Sequence, residues 1–233
     1  VLLTGTTGFI GSHVTRKLLD DGHEVHGVLL AGDSTERIDD LLDRIRPVHL
    51  DLRDIAAMRQ AVAMIRPDCA IHLAWYAVPQ KYWTAPENLD CVAMSLALGR
   101  ALSDAGCRKL VAAGTCAEYD WSYGTLSEAE TPLKPPSLYG ISKDATRRVL
   151  ESFSAQVGMG FAWARFFFLY GPFEPLERLM PAVIVSLLQG RDALCSDGVQ
   201  RRDFLHVADV ASAVVRLTQD DAQGIFNIGS GSA

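Results

Sequence analysis

Cysteine is scarce in this chain and shows no pairing pattern. The 233 residues include five, an odd number without a Cys-x-x-Cys spacing, which argues against a disulfide framework and against a zinc site. They are Cys69, Cys91, Cys107, Cys116 and Cys195. The six histidines form no set with metal-ligand spacing either. We therefore expect a cytoplasmic protein with reduced thiols and no bound metal.

An excess of positive charge and long apolar runs are also missing. The chain carries 22 Lys and Arg residues against 28 Asp and Glu, a formal net charge of −6, whereas contacts with nucleic acids or anionic lipids need clustered cations. No run approaches the roughly 18 apolar residues of a membrane span, and no signal segment is visible. We expect a small-molecule ligand, with neither nucleic acid nor a membrane as partner. Because the first residue is Val1 rather than Met, we expect a few residues to precede it.

Apolar residues make up 48% of the chain and alternate between strand-length and helix-length patterns. Strands are predicted at 1–3, 25–30, from Pro47, 69–73, 110–113, 161–169 and 225–228, and helices at 9–19, 54–65, 89–105, 137–156, 182–189 and 207–217. Such alternation is typical of βαβ units and a parallel sheet. The expected fold class is α/β, a Rossmann-type doubly wound parallel sheet with a small C-terminal substrate lobe, part of which we expect to be missing.

Near Gly171 the regular alternation of strand and helix patterns changes and prolines become frequent. We place the boundary between the two predicted domains there. Residues 1–170 are predicted to form the NAD(P)-binding Rossmann domain. Residues 171–233 are predicted to form the substrate-binding lobe, with short strands near 197–198 and with 206–228 returning to the main sheet.

A glycine-rich turn joins the first predicted strand to the first helix. Its sequence, Gly5-Thr6-Thr7-Gly8-Phe9-Ile10-Gly11, has the spacing Gly-x-x-Gly-x-x-Gly. Gly5 and Gly8 would let backbone amides approach a pyrophosphate at the positive end of the helix, and Gly11 would let that helix pack closely on the sheet. An ordinary βα turn is the alternative, but the position after the first strand favours a dinucleotide site formed by Gly5, Gly8, Phe9, Ile10 and Gly11.

The sequence leaves NAD and NADP open. An acidic residue at the end of the second strand would bind the ribose diol of NAD, yet Leu29 stands there. This slightly favours NADP, with Arg37 as the nearest cation for a 2′-phosphate, unless Arg37 is simply a solvated loop residue. Asp51 and Leu52 follow the third strand and are predicted at the rim of the adenine pocket. Asp51 could instead cap the next helix.

Tyr139 and Lys143 are the candidate acid/base pair. Their i, i+4 spacing on a predicted helix places the phenol and the ammonium on one face. Lowering a tyrosine pKa from about 10 toward 7 takes about 4 kcal/mol, which the ammonium and a positive cofactor ring can supply. Tyr139 would then exchange a proton with the substrate oxygen during hydride transfer, Lys143 would also bind the cofactor ribose, and Thr115 would hold the same oxygen. Tyr-x-x-x-Lys alone often occurs by chance, so the assignment depends on its combination with the glycine turn and Thr115, in this order and at these strand ends.

These residues resemble the extended branch of the short-chain dehydrogenase/reductase superfamily, in particular the NAD-dependent epimerase/dehydratase family that modifies nucleotide sugars. Further motifs carry the resemblance: His72-Leu73-Ala74, Arg165 through Tyr170-Gly171-Pro172, Arg202-Asp203-Phe204-Leu205-His206-Val207 and Phe226-Asn227-Ile228-Gly229. The resemblance implies that Ala74, Phe166 and Phe167 line the cofactor cleft and that Arg202 binds the substrate diphosphate, a task suited to a guanidinium. It also implies a homodimer through the helices that contain Leu89 and Tyr139.

The chain departs from the family pattern on the substrate side. Phe168 and Cys91 stand where the family commonly has asparagines, so Phe168 marks an altered substrate contact. Cys116-Ala117 replaces the Asp-Glu pair that follows the catalytic threonine in 4,6-dehydratases, which argues against dehydration. Aromatic residues in the loops after the fourth and fifth strands could wall a sugar or base pocket or simply pack: Trp75, Tyr76, Trp83, Trp121 and Tyr123.

The resulting prediction is an NAD(P)-dependent oxidoreductase or epimerase that transfers hydride at C4 of a nucleoside-diphosphate sugar. A 4-ketoreductase and a 4-epimerase use the same residues, and the apolar Leu29 slightly favours the reductase. The alternatives are a reductase of a non-sugar carbonyl and a non-catalytic NAD(P)-binding sensor.

Overall fold

Parallel strands alternate with helices along the part of the chain that the computed structural model describes, residues 1–219 and 221–232. The strands are β1 (Leu2–Thr4), β2 (His26–Leu29), β3 (Arg46–His49), β4 (Cys69–His72), β5 (Lys109–Thr115), β6 (Gly160–Phe166), β7 (Phe168–Tyr170), β8 (Phe204–His206) and β9 (Gly224–Ile228). The helices are α1 (Phe9–Asp20), α2 (Ile55–Ile65), α3 (Glu87–Asp104), α4 (Leu138–Val157), α5 (Leu179–Leu188) and α6 (Val207–Arg216). None of these helices is both long and apolar enough to cross a membrane.

Seven strands form one parallel sheet in the order β3-β2-β1-β4-β5-β6-β9, while β7 and β8 pair separately. Neighbouring side chains on a strand point to opposite faces, so Leu2 packs in a core with Leu98 and Leu102 of α3. Leu3 packs in a second core with Val14 of α1 and Val214 of α6. Helices thus cover both faces of the sheet, which confirms the predicted doubly wound α/β fold. The strand order reverses at β1, so a crevice opens between the carboxyl ends of β1 and β4.

The C-terminal segment differs from the sequence prediction. The apolar run at 161–169 is two strands rather than one: β6 ends in the main sheet at Phe166, and β7 leaves the sheet to pair with β8. The predicted strands near 197–198 are absent from the structure, since this polar, exposed stretch has no regular backbone. The strand predicted from Pro47 begins one residue earlier, at Arg46, and a sheet edge tolerates this proline because one side of an edge strand makes no ladder bonds.

Candidate active site

The glycine turn forms a close-fitting cradle at the start of α1. Gly5 has φ +73°, and a Cβ at this position would lie 2.9 Å from the backbone nitrogen of Ala74. A Cβ on Gly11 would lie 1.9 Å from the Gly5 carbonyl oxygen. Helix α1 begins at Phe9, with Gly8 as its N-cap, so the first helical amides face the turn without intrahelical acceptors. These residues therefore fit an anion such as a pyrophosphate.

The loop after β2 brings a carboxylate to this turn. Asp33 N donates to the Leu30 carbonyl at 3.1 Å, and Gly32 adopts φ +91°, so the chain turns back. The Thr7 hydroxyl then donates to Asp33 Oδ2 at 3.1 Å. Sequence reasoning missed Asp33 because it considered only the strand end at Leu29. The one signal was a Gly-Asp turn, whose direction the sequence does not reveal.

Two other predicted cofactor residues have different surroundings from those expected. Nε of Arg37 donates to the Phe173 carbonyl at 3.1 Å, so this cation is directed at the C-terminal loop. The carboxylate of Asp51 pairs with Arg53 at 2.7 Å, and this arginine lowers the pKa of Asp51. The alternative of Asp51 as a helix cap is wrong, because the side chain that accepts from the first turn of α2 belongs to Asp54.

Other predicted cleft residues lie near the sheet core. Leu52 is buried among apolar side chains, and so is Phe166 on the other face of the sheet. Phe167 N donates to the Ile228 carbonyl at 3.3 Å, which links the end of β6 to β9. Ala74 follows β4 and donates its N–H to the Thr4 hydroxyl at 3.2 Å, so of this group it lies directly beside the glycine turn.

His72, the first residue of the His-Leu-Ala motif, is a buried structural residue. Its Nδ1 lies 2.7 Å from the Thr4 hydroxyl and its Nε2 lies 2.8 Å from the Ser95 hydroxyl. Burial, and to a lesser extent the charge of Lys143, lowers the pKa of His72 to about 3, so the ring is neutral. Within residues 1–219 and 221–232, no group of three or more His, Cys, Asp and Glu side chains could hold a metal ion.

The structure brings Thr115, Tyr139 and Lys143 together at the carboxyl end of β5. Thr115 is the last residue of β5, and its side chain lies near the Tyr139 phenol. Ser137 caps the helix that carries the other two residues by accepting from Gly140 N at 3.2 Å. Nζ of Lys143 lies 6.0 Å from the centre of the Tyr139 ring. The helical spacing in the sequence predicted this shared face.

Burial dominates the electrostatics of this pair. Desolvation raises the pKa of the Tyr139 phenol, and the Thr115 hydrogen bond opposes the rise. Desolvation also lowers the pKa of Lys143 to about 7, against the attraction of Glu118. The protein groups alone therefore keep the phenol protonated. The expected lowering of the tyrosine pKa by the neighbouring ammonium is not reached without a further positive charge.

Aromatic rings enclose the phenol and the ammonium. Lys143 Nζ lies 3.8 Å from the centre of the Trp75 ring and donates to a backbone carbonyl at 2.8 Å. The Trp75 indole is fixed by its hydrogen bond to Asn88 Oδ1 at 2.8 Å. The ring centres of Tyr82 and Trp83 lie 4.8 and 5.8 Å from that of Tyr139. Trp75 and Trp83, predicted either to wall a pocket or to pack, are thus part of the catalytic surroundings.

A buried ion pair supports the strand end that carries Thr115. Glu118 is 0% exposed and Arg165 1% exposed, and Arg165 Nε donates to Glu118 Oε2 at 2.7 Å. Glu118 Oε1 accepts from Thr115 N at 2.9 Å and from Trp163 Nε1 at 3.0 Å. Each buried charge has a partner, as burial requires. This network fixes the backbone of Thr115.

Arg202 and Phe168, the two predicted substrate residues, lie in contact on the other side of the site. The Arg202 guanidinium carbon lies 5.2 Å from the centre of the Phe168 ring and 5.5 Å from that of Trp121. Burial raises the pKa of the thiol of Cys116, the residue after Thr115, and the Arg202 charge opposes this rise. The cation is therefore close enough to the carboxyl end of β5 to influence it.

Comparison with known proteins identifies the family. Residues 1–229 match the family model described as "NAD dependent epimerase/dehydratase family". The chain belongs to this family. It is 25% identical over 237 residues to dTDP-6-deoxy-L-talose 4-dehydrogenase (NAD(+)) of Aggregatibacter actinomycetemcomitans, covering 99% of this chain and 84% of that protein. It is 30% identical over 234 residues to a probable UDP-glucuronate 4-epimerase of Rhizobium meliloti, covering 93% and 67%.

Solved structures agree with this assignment to the epimerase/dehydratase family. The UDP-glucose 4-epimerase of Thermus thermophilus in complex with NAD superposes with a TM-score of 0.84 at 28% identity, covering 99% of this chain and 78% of that one. The family resemblance drawn from the sequence motifs is thereby confirmed.

Proposed function

We propose that this member of the epimerase/dehydratase family is an NAD-dependent 4-epimerase of a nucleoside-diphosphate sugar. The observation that carries the proposal is the cluster of Thr115, Tyr139 and Lys143 at the carboxyl end of β5, beside the glycine cradle. The relatives named above, which act at C4 as an epimerase or a dehydrogenase by their names, support the position of the chemistry. A 4-dehydrogenase or 4-ketoreductase uses the same residues and is the second candidate.

Each side chain of the site has a different role in the proposed reaction at C4 of the sugar. Tyr139 takes the proton of the 4-hydroxyl and later returns it, while Thr115 hydrogen-bonds to the same oxygen. NAD, when bound, supplies the hydride acceptor and donor. Lys143 and the positive charge of bound NAD together lower the pKa of the phenol, which burial alone raises. Arg202 holds the diphosphate through charge-assisted hydrogen bonds.

The residues present fit a dinucleotide, and we propose NAD rather than NADP. Gly5 and Gly11 leave room for a pyrophosphate that a Cβ would fill, and Asp33 lies on the turn through Thr7. A carboxylate in this place accepts hydrogen bonds from the ribose diol and repels a 2′-phosphate. Arg37, the cation expected to favour NADP, points to Phe173 instead. The slight sequence preference for NADP, and with it the preference for a reductase, therefore loses its basis.

The deciding experiment identifies the cofactor and the net reaction together. The purified protein is denatured and the released dinucleotide identified. Fresh protein is then incubated with UDP-glucose, UDP-glucuronate or a dTDP-6-deoxyhexose, and products are followed by NMR. Interconversion of C4 epimers without net NADH change supports the epimerase. Stoichiometric NADH formation or consumption assigns a dehydrogenase or reductase instead, and no reaction and no bound dinucleotide would overturn the proposal.

We also propose a homodimer formed through α3 and α4, which pack against each other. Four large apolar side chains on these helices are exposed: Leu89, Ile141, Val149 and Val157. Burying such side chains drives association, so a second copy is the occupant we propose. Sedimentation should give a dimer that Ile141→Glu with Val149→Glu converts to a monomer, and a monomeric wild-type protein would contradict the proposal.

We propose a cytoplasmic location because the cysteines are free thiols, four of them buried, as expected in a reducing compartment. Cell fractionation tests this location directly, and recovery from a membrane or secreted fraction would contradict it.

A further inference from the structure

We infer that Trp121 and Phe168 form an aromatic clamp that positions Arg202 for the substrate diphosphate. The inference deepens the proposed function and rests on it. Trp121 and Phe168 act through the arginine, so they are positioning residues.

The clamp has two rings on one guanidinium. The Arg202 guanidinium carbon lies 5.2 Å from the Phe168 ring centre and 5.5 Å from the Trp121 ring centre. The ring centres themselves are 6.1 Å apart at an interplanar angle of 67°. Both distances to the cation are within the range of a cation–π interaction. Two faces that attract the same cation restrict its direction more than one can.

The rings come from different elements, and each element is anchored. Phe168 lies on β7 and packs on Phe204 of β8 with ring centres 5.7 Å apart. Trp121 lies in the loop after β5, and this loop is tied to β9 because Asn227 Nδ2 donates to the Leu126 carbonyl at 3.2 Å. Asn227 N also donates to Glu128 Oε1 at 2.7 Å. The clamp is therefore attached to β9 of the main sheet on one side and to the separate β7–β8 pair on the other.

The backbone beside Arg202 is fixed as well. Asp203 accepts from Ser230 N at 2.7 Å and from Gly231 N at 2.8 Å. A Cβ on Gly229 would lie 2.7 Å from Asp203 Oδ2, so the approach depends on that glycine. In contrast, residues 191–201 have no regular backbone. Asp203 thus fixes the backbone next to Arg202, while the two rings position its guanidinium.

Aromatic faces suit this task because they attract the cation without using its donors. Phenylalanine has no hydrogen-bonding group, and the tryptophan ring carries only a donor. Arg202 Nη1 donates to the Arg201 carbonyl at 2.8 Å, and the remaining N–H groups of the guanidinium stay available for phosphate oxygens. An amide at position 168, the residue type that the family pattern suggests, would offer an acceptor that competes with the phosphate. Phe168 therefore helps to position Arg202, and its effect is not limited to removing a substrate contact.

The test measures nucleotide affinity in the NAD-loaded protein. Calorimetric titration with UDP and with dTDP compares wild type with Trp121→Leu and Phe168→Leu. We expect each variant to raise Kd about fivefold to tenfold, the size of a partly desolvated cation–π contact. Tyr123→Leu is the matched control, since Tyr123 is an exposed aromatic of the same loop, and it should bind like wild type. With a turned-over sugar, KM should rise while kcat changes less than about twofold.

A double-mutant cycle separates the clamp from direct contact with the nucleotide. In an Arg202→Leu background, Trp121→Leu should have no further effect on Kd, and Trp121→Phe in the wild-type background should restore most of the affinity. Equal affinities for wild type, Trp121→Leu and Phe168→Leu would overturn the inference, as would an undiminished Trp121 effect without Arg202. If wild type itself binds neither UDP nor dTDP, the proposed substrate class fails first.

Discussion

The catalytic side and the substrate side of the site are built in different ways. Thr115 and Lys143 are 8% and 3% exposed and belong to β5 and α4, in the middle of the fold. Helix α5, on the substrate side, has no buried residue, and Leu188 at its end is 82% exposed. The groups proposed to take part in proton transfer are thus held by the core itself. The substrate side obtains its geometry from a few anchored contacts around Arg202.

This difference has an electrostatic consequence. On the catalytic side every charge must be compensated, as Glu118 and Arg165 are by each other, because an unpaired charge in a core costs several kcal/mol. On the substrate side water compensates charges, and changes there alter binding more than folding. Changes to the two sides should therefore separate into effects on turnover and stability and effects on affinity.

Removing the Tyr139 hydroxyl should produce the largest effect. Tyr139→Phe keeps the ring contacts with Tyr82 and Trp83 but cannot transfer a proton, so turnover should fall by about a thousandfold. NAD affinity should stay within a factor of about two. Tyr82→Phe, which removes a hydroxyl from the neighbouring ring, should lose much less. Steady-state rates and NAD titrations check both variants, and more than about a tenth of wild-type activity in Tyr139→Phe would place the proton transfer elsewhere.

The two sides should also differ in how much a leucine-to-alanine substitution lowers the free energy of unfolding. Leu102→Ala opens a cavity in the core between α3 and the sheet and should cost about 2–5 kcal/mol of unfolding free energy. Leu187→Ala on the exposed face of α5 should cost less than about 0.5 kcal/mol. Urea titrations of both variants measure the difference. A large loss of unfolding free energy in Leu187→Ala would show that this face of α5 is covered in solution. It would contradict the difference between the two sides.

The buried ammonium should make the stability of the catalytic side depend on pH. The pKa of Lys143 is lowered from 10.5 to about 7 by burial, so between these values the unfolded chain binds more protons. Stability therefore rises with pH across this window. Lys143→Met, measured without added cofactor, should be about 2–5 kcal/mol more stable than wild type near pH 6. The advantage should shrink as the pH rises from 7 toward 10, and a constant difference would contradict burial as the cause.

The order of strands and helices and the shared face of Tyr139 and Lys143 could be predicted from the sequence because each depends on local spacing. Alternation of apolar runs fixes the order of elements, and the turn of a helix places Tyr139 and Lys143 on one face. The break between β6 and β7 could not be predicted, because an unbroken apolar run does not show where a strand changes its partner. The sequence offers Asp51 as an alternative helix cap, whereas Asp54 caps α2, because more than one acidic residue precedes the helix.

Contacts between residues far apart in the chain could not be predicted from the sequence, for a different reason. The Trp75 ring meets Lys143 and the Asp33 carboxylate meets Thr7 only after loops have taken particular paths. No periodicity in the chain encodes those paths. The sequence bears on the cofactor only through Leu29 and Arg37, whereas in the structure it is Asp33, in the loop beyond Leu29, that contacts the glycine turn.

A substitution in the loop after β2 should have the smallest effect of those predicted. It should act specifically on the choice between NADH and NADPH. Asp33→Asn keeps a hydrogen-bond acceptor for Thr7 but removes the charge, so repulsion of a 2′-phosphate disappears and the diol loses a charged acceptor. The ratio of NADPH to NADH affinity should rise about tenfold, roughly 1.4 kcal/mol. Asp51→Asn, an equal change of charge at a carboxylate paired with Arg53, should leave the ratio within about a factor of two. Fluorescence titrations with both nucleotides measure it. Because Asp33 is exposed, the fold should not suffer, and an unchanged ratio in Asp33→Asn would mean that another group selects the cofactor.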